Sequence, residues 1–203
     1  MKIFRNVMTG IAGLVLLLAL ISYFLPAGIH IEREMVIEAP VELVFEQVND
    51  FRNWEKWSPW TKMAPDMINE YAGTASGVGH VHRWVSDHAR VASGTQEIIE
   101  SQPNRMIRIH TDFERQADGQ STWRFEEVEG GPGTSWTMDV HVGKSPASKY
   151  VGLLLDAMMG PLFERGLADM RDHTLLTYTQ TPAGRAKARE AASDSLRASF
   201  TGL

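Results

Sequence analysis

The chain has no cysteine in its 203 residues, which rules out a disulfide framework, thiolate catalysis and any cysteine-based zinc site. It has no surplus of positive charge either: 20 Lys and Arg stand against 25 Asp and Glu, a formal net charge of −5 at pH 7. A nucleic-acid binder presents a basic face, so that class is set aside. Hydrolase signatures are missing as well, with no G-x-S-x-G, no H-E-x-x-H and no pair of carboxylates on an inward strand face. "GTASGVG" (73–79) is glycine-rich, but it joins two candidate strands and lacks the Lys-Ser/Thr ending of a phosphate loop. It reads as a turn. No internal repeat is found, and no resident cofactor or metal is implied.

One long hydrophobic run is present. "VMTGIAGLVLLLALISYFL" (7–25) carries no charge, and at ~1.5 Å per residue it would span ~28 Å, close to the hydrocarbon thickness of a bilayer. A membrane anchor is the preferred reading. A cleaved signal is the alternative, because Ala27 offers a small residue near Gly28, although Leu25 stands where a second small residue is wanted. Lys2 and Arg5 precede the run, while all 25 acidic residues and 18 of the 20 basic ones follow. By the positive-inside rule the N-terminus stays in the cytoplasm and the domain lies outside it, in the periplasm if the cell is Gram-negative.

Beyond the run, periodicity sets the architecture. "IEREMVIEAP" (31–40) alternates as a first strand would, and "VELVFEQVNDFRNWEKW" (41–57) has helical spacing interrupted at Asn49-Asp50. Two short helices are expected, the second stopped by Pro59. From 67 to 142 the period becomes two, with six candidate strands separated by Gly, Pro, Asn and Asp punctuation such as "SQPN", "QADGQ" and "GGPG". The apolar alternates Met67, Tyr71, His80, His82, Trp84, Ile98, Ile107, Ile109, Phe113, Trp123, Phe125, Trp136, Met138 and Val140 define an inward face. Glu97, Arg108, His110 and Glu126 fall on a solvated face. A long helical pattern follows with Ser145 as N-cap, Pro146 at its first position and a kink expected at Gly160-Pro161. The segment 181–203 is rich in Ala, Arg and Ser, which predicts a flexible tail or a weak helix. The expected organisation is an anchor (1–28), one globular domain (29–180) and the tail.

Trp54, Trp57 and Trp60 recur at i, i+3 and form a stripe on one helix face. Three readings stay open: packing into the core, an aromatic wall for a ligand, and a belt at a membrane surface. His80 and His82 share one strand face. Lining of a cavity is the plainer reading, because no third ligand stands at metal-site spacing; general acid/base work is the sharper one, with His82 the catalytic candidate.

"IEAPVELVFEQVNDFRNWEKWSPW", "YAGTASGVGHVHRW", "ESQPNRMI" and "MMGPLFERGL" resemble the membrane-anchored branch of the START-like, Bet v I-like superfamily, also called SRPBCC or polyketide cyclase/dehydrase-like proteins. The resemblance covers roughly 1–178. It implies an α+β helix-grip fold, a curved antiparallel sheet around a long C-terminal helix, with a cavity for an apolar small molecule or lipid between them. The candidate ligand-binding residues are then Trp57, Trp60, His82, Trp84, Ile98, Ile109, Trp123, Phe125, Trp136, Met138, Leu154 and Met158. Fold does not imply function, so three roles remain: a binding module, a cyclase/dehydrase-like enzyme using acid/base chemistry in the same cavity, and a non-catalytic envelope interaction protein. Neither the ligand nor the oligomeric state can be read from the sequence.

Overall fold

The computed structural model describes residues 2–25, 28–113, 118–141 and 145–201. Pro26, Ala27 and the first two residues of the "QADGQ" turn lie outside them. The first helix, α1 (Lys2–Phe24), contains an 18-residue stretch of mean hydropathy 2.3 and is almost wholly exposed. Its 23 residues are ~34 Å long, enough to cross a bilayer. It touches the rest of the chain near its C-terminal end, where Lys149 Nζ donates to the Ser22 carbonyl at 3.0 Å and the Tyr150 hydroxyl to the Leu18 carbonyl at 2.8 Å.

Seven strands form one antiparallel sheet: β1 (Gly28–Val36), β2 (Ile68–Gly73), β3 (His80–Val85), β4 (Gly94–Gln102), β5 (Met106–Asp112), β6 (Asp118–Val128) and β7 (Gly131–His141). Their order is β1-β7-β6-β5-β4-β3-β2, a meander of six strands with β1 added against the last. The "GTASGVG" turn joins β2 to β3, with Gly73, Gly77 and Gly79 all at positive φ, the conformation that glycine adopts without strain.

The segment between β1 and β2 departs from expectation. It holds α2 (Val41–Asn49), a 3₁₀ turn (Phe51–Asn53), α3 (Trp54–Trp57) and α4 (Pro59–Met63). Asp50 is extended and its carboxylate accepts from the Arg52 backbone N–H at 3.0 Å, capping the 3₁₀ turn. Pro59 does end α3, because the residue before a proline is pushed out of the helical region, and Ser58 is extended at ψ 129°. The same proline then opens α4 at its first position, which sequence reasoning overlooked.

The long helix α5 (Pro146–Thr179) runs as one element with Pro161 inside it. Phe163, Leu167 and Met170 are fully buried against the concave sheet face, a spacing of four and three that turns one stripe inward. Phe163 stacks on Trp136 at 4.0 Å between ring centroids. Gly166 permits that approach, since a Cβ there would lie 3.0 Å from the Trp136 ring and 3.3 Å from Pro59 Cδ. Arg33 on β1 fixes the outer side through Asp156 (3.2 Å) and Glu164 (2.8 Å). The C-terminal segment forms α6 (Pro182–Thr201), and residues 185–193 are all exposed. Glu97, His110 and Glu126 lie exposed on the convex face, and Arg108 pairs with Glu100 at 2.7 Å.

Candidate functional site

Between the sheet, α3, α4 and the β5–β6 end of the sheet lies a cavity of ≈ 80 Å³. At roughly 10–15 Å³ per water, it accepts a handful of waters or one compact apolar group as it stands. Its walls are aromatic: Phe51, Trp54, Trp60, Tyr71, Trp84, Phe113 and Trp136, with Met67 and Met138 between them.

The tryptophan stripe divides along its length. Trp57 is fully buried in the core beneath the cavity, with its indole N–H donating to the Gln47 carbonyl at 3.3 Å. Trp54 packs on Trp57 at 4.9 Å and shows its other side to the cavity. Trp60 sits at the rim, edge-on to Trp136 and Phe163. Trp84 crosses β4 at Gly94, where a Cβ would stand 2.6 Å from its ring.

The floor is polar. Tyr71, His82, Gln96 and Thr111 are directly opposed across β2, β3, β4 and β5, so they form a single row on the concave face. Asn69 and Ser121 flank the row, and all six line the cavity. Gln96 Nε2 donates to His82 Nδ1 at 3.0 Å, and His82 Nε2 to Asn69 Oδ1 at 2.8 Å. Flipping both amides would reverse the two donors, but either orientation leaves the ring neutral with both nitrogens engaged. Burial, helped by the charge of His80, lowers the His82 pKa to about 4. The Tyr71 hydroxyl donates to Glu55 Oε1 at 2.6 Å, and burial followed by that bond raises the phenol's pKa.

His80 belongs to the support rather than to the cavity. It is buried, stacked on Phe51 (5.2 Å) and Tyr71 (6.1 Å), and its Nδ1–H donates to the Thr74 carbonyl at 2.6 Å. Its Nε2 faces Asp50 at 3.4 Å. Burial would raise the Asp50 carboxyl, but hydrogen bonds from Arg52 hold it below its ordinary value. Among the described residues no cluster of three His, Cys, Asp or Glu could hold a metal ion.

Of the candidate ligand-binding residues, Trp60, His82, Trp84, Trp136 and Met138 line the cavity. Trp57, Ile98, Ile109, Trp123 and Phe125 are buried in the core without reaching it. Leu154 and Met158 require correction: they are 61% and 66% exposed on α5 and do not line the cavity. Helical spacing puts the one charge of the segment, Asp156, opposite Leu154 and Met158 and so pointed these two inward; the pairing of Arg33 with Asp156 and Glu164 sets the face instead. Sequence reasoning missed Asn69, Gln96, Thr111 and Ser121. Their signal was parity: each stands two residues from an inward position already identified, at Tyr71, Ile98, Ile109 and Trp123.

A family model described as "Polyketide cyclase / dehydrase and lipid transport" matches residues 28–174. The chain belongs to that family. The match covers all seven strands and α5 to Thr174, so it spans the whole grip, whereas α1 and α6 fall outside it. No curated protein matches. Among solved structures, the chain is similar to the protein of unknown function SA2116 from Staphylococcus aureus, with 18% identity, 76% of this chain and 97% of that one covered, and a TM-score of 0.59. TTHA0849 from Thermus thermophilus has 19% identity, coverage of 73% and 98%, and a TM-score of 0.56. The di-domain ARO/CYC BexL from the BE-7585A biosynthetic pathway has 15% identity and a TM-score of 0.54, and the match covers 73% of this chain and 50% of BexL. At these identities the likeness establishes the helix-grip fold.

Proposed function

We propose that this family member is a membrane-anchored domain that binds an apolar small molecule or lipid outside the cytoplasm. The observation that carries the reading is the aromatic-walled cavity closed by a neutral polar floor, the usual composition of a small-molecule site. Anchoring rests on α1, and the outward orientation on the positions of Lys2 and Arg5 ahead of it. The methionines and rim tryptophan let the small cavity widen around a larger guest, because Met side chains repack at little cost.

Cyclase-like acid/base chemistry in the same cavity needs a group that can take or give a proton near neutral pH. His82 is poorly placed for this, since Gln96 and Asn69 occupy both its nitrogens. Its pKa of about 4 makes it a weak base. The binding reading therefore takes precedence over catalysis.

The test is titration of the full chain in nanodiscs with naphthalene, read as quenching of tryptophan emission against empty nanodiscs. Saturable quenching is expected, because Trp54, Trp60, Trp84 and Trp136 face the guest. Linear, non-saturable quenching equal to the blank would mean that the cavity is a packing void.

A further inference from the structure

We infer that the cavity discriminates by charge: it takes guests whose buried end is an uncharged hydrogen-bonding group, such as a hydroxyl, carbonyl or amide, and rejects carboxylates and phosphates. This rests on the ligand-binding reading above and specifies the guest. Among the described residues no Lys or Arg lines the cavity, and the one charged side chain there is the Glu55 carboxylate. The cations carried by the same short helices are turned to other partners. Arg52 is paired with Asp50 at 2.9 Å and donates to the Ala75 carbonyl, Lys56 contacts Asn53, and Lys62 pairs with Asp169 at 2.7 Å. An anion entering the cavity would lose its hydration, meet no countercharge and approach a carboxylate, which is strongly unfavourable.

A neutral polar head meets the opposite situation. The Thr111 and Ser121 hydroxyls are buried on the floor and make no hydrogen bond within the protein among the described residues. Each can donate and accept. The cavity thus offers unspent donors and acceptors at its floor and none of the charge that holds an acid. His82 cannot supply the missing cation, because the amides on either side hold its ring neutral.

Three probes with one apolar body separate the outcomes: naphthalene, 2-naphthol and 2-naphthoate, titrated at pH 7.5 against the full chain in nanodiscs with empty nanodiscs as the blank. The expected order is naphthol tightest, with naphthoate at least about tenfold weaker than naphthol. Thr111→Val, with Ser121→Ala as a second variant, should weaken naphthol about three- to tenfold relative to naphthalene, the worth of one neutral hydrogen bond. The wild-type comparison stands alone if either variant fails to fold. Naphthoate binding as tightly as naphthol would overturn the inference, as would variants that shift naphthol and naphthalene equally. If naphthalene itself fails to bind, the ligand-binding reading falls and this inference with it; naphthalene binding alongside tight naphthoate binding sinks the inference alone.

Discussion

Replacing His82 with Gln should flatten the acid limb of the chain's stability. The unfolded imidazole titrates near 6.5 and the folded one at about 4, because burial disfavours its charged form. Between those values the unfolded state holds a proton that the folded state lacks, so stability falls as pH falls and is fully present above 6.5. At pH 5 the medium is roughly 1.5 pH units below the unfolded value, and at ~1.36 kcal/mol per unit this costs about 2 kcal/mol relative to pH 7.5. His173, also lowered by burial and by Lys56, contributes in the same direction but is unchanged by the substitution, so it cancels in the comparison. Urea unfolding of the full chain in nanodiscs, followed by tryptophan emission at pH 7.5 and pH 5, gives the two differences. Wild type should lose about 2 kcal/mol more than His82→Gln over this interval. Equal losses would mean that the folded imidazole takes up its proton as easily as the unfolded one, and the neutral, doubly bonded ring would be refuted.

Three further outcomes follow from named contacts. Gly94→Ala should destabilise the domain by about 1–3 kcal/mol, since the new Cβ meets Trp84 at 2.6 Å and the Asp112 carbonyl at 2.7 Å; an unchanged urea midpoint would show that Trp84 does not lie across β4. Removing residues 185–203 should move the melting temperature by no more than about 2 °C, because 185–193 are exposed and such surface contributes little; a larger drop would reveal α6 as a packed element. The natural absence of cysteine allows single-cysteine labelling in intact cells. Leu176→Cys, on exposed α5 surface, should react with a membrane-impermeant maleimide and Leu14→Cys should not; reaction of position 176 only after lysis would place the domain inside.

Most of the fold was legible because two signals coincide along the chain. Alternation from 67 to 142 sets one sheet face, and glycine-rich turns set the breaks, so a one-residue slip would have turned Trp123 and Ile109 outward. Local chemistry that depends on one dihedral was harder to read. Pro59 both ends α3 and opens α4, and only the extended Ser58 between them reveals that. The site was half legible for a different reason. Aromatic and methionine alternates pointed to Trp84, Trp136 and Met138, but selecting apolar residues passes over the floor, where Gln96, Thr111 and Ser121 occupy inward positions as polar groups. Leu154 and Met158 failed because tertiary partners overrode the helical pattern: Asp156, on the face opposite to them, pairs with Arg33 of β1, and Phe163 stacks on Trp136, which together set the buried face.

The central claim is that the cavity carries a guest, and native mass spectrometry of the full chain drawn gently from its own membranes into nanodiscs tests it most directly. Thr61→Trp, at the half-buried edge of α4 where Thr61 lines the cavity, should plug it and serves as the control. The account predicts one small apolar molecule bound to wild type and absent from Thr61→Trp. Wild type free of any small molecule, or the same adduct on both proteins, would contradict it.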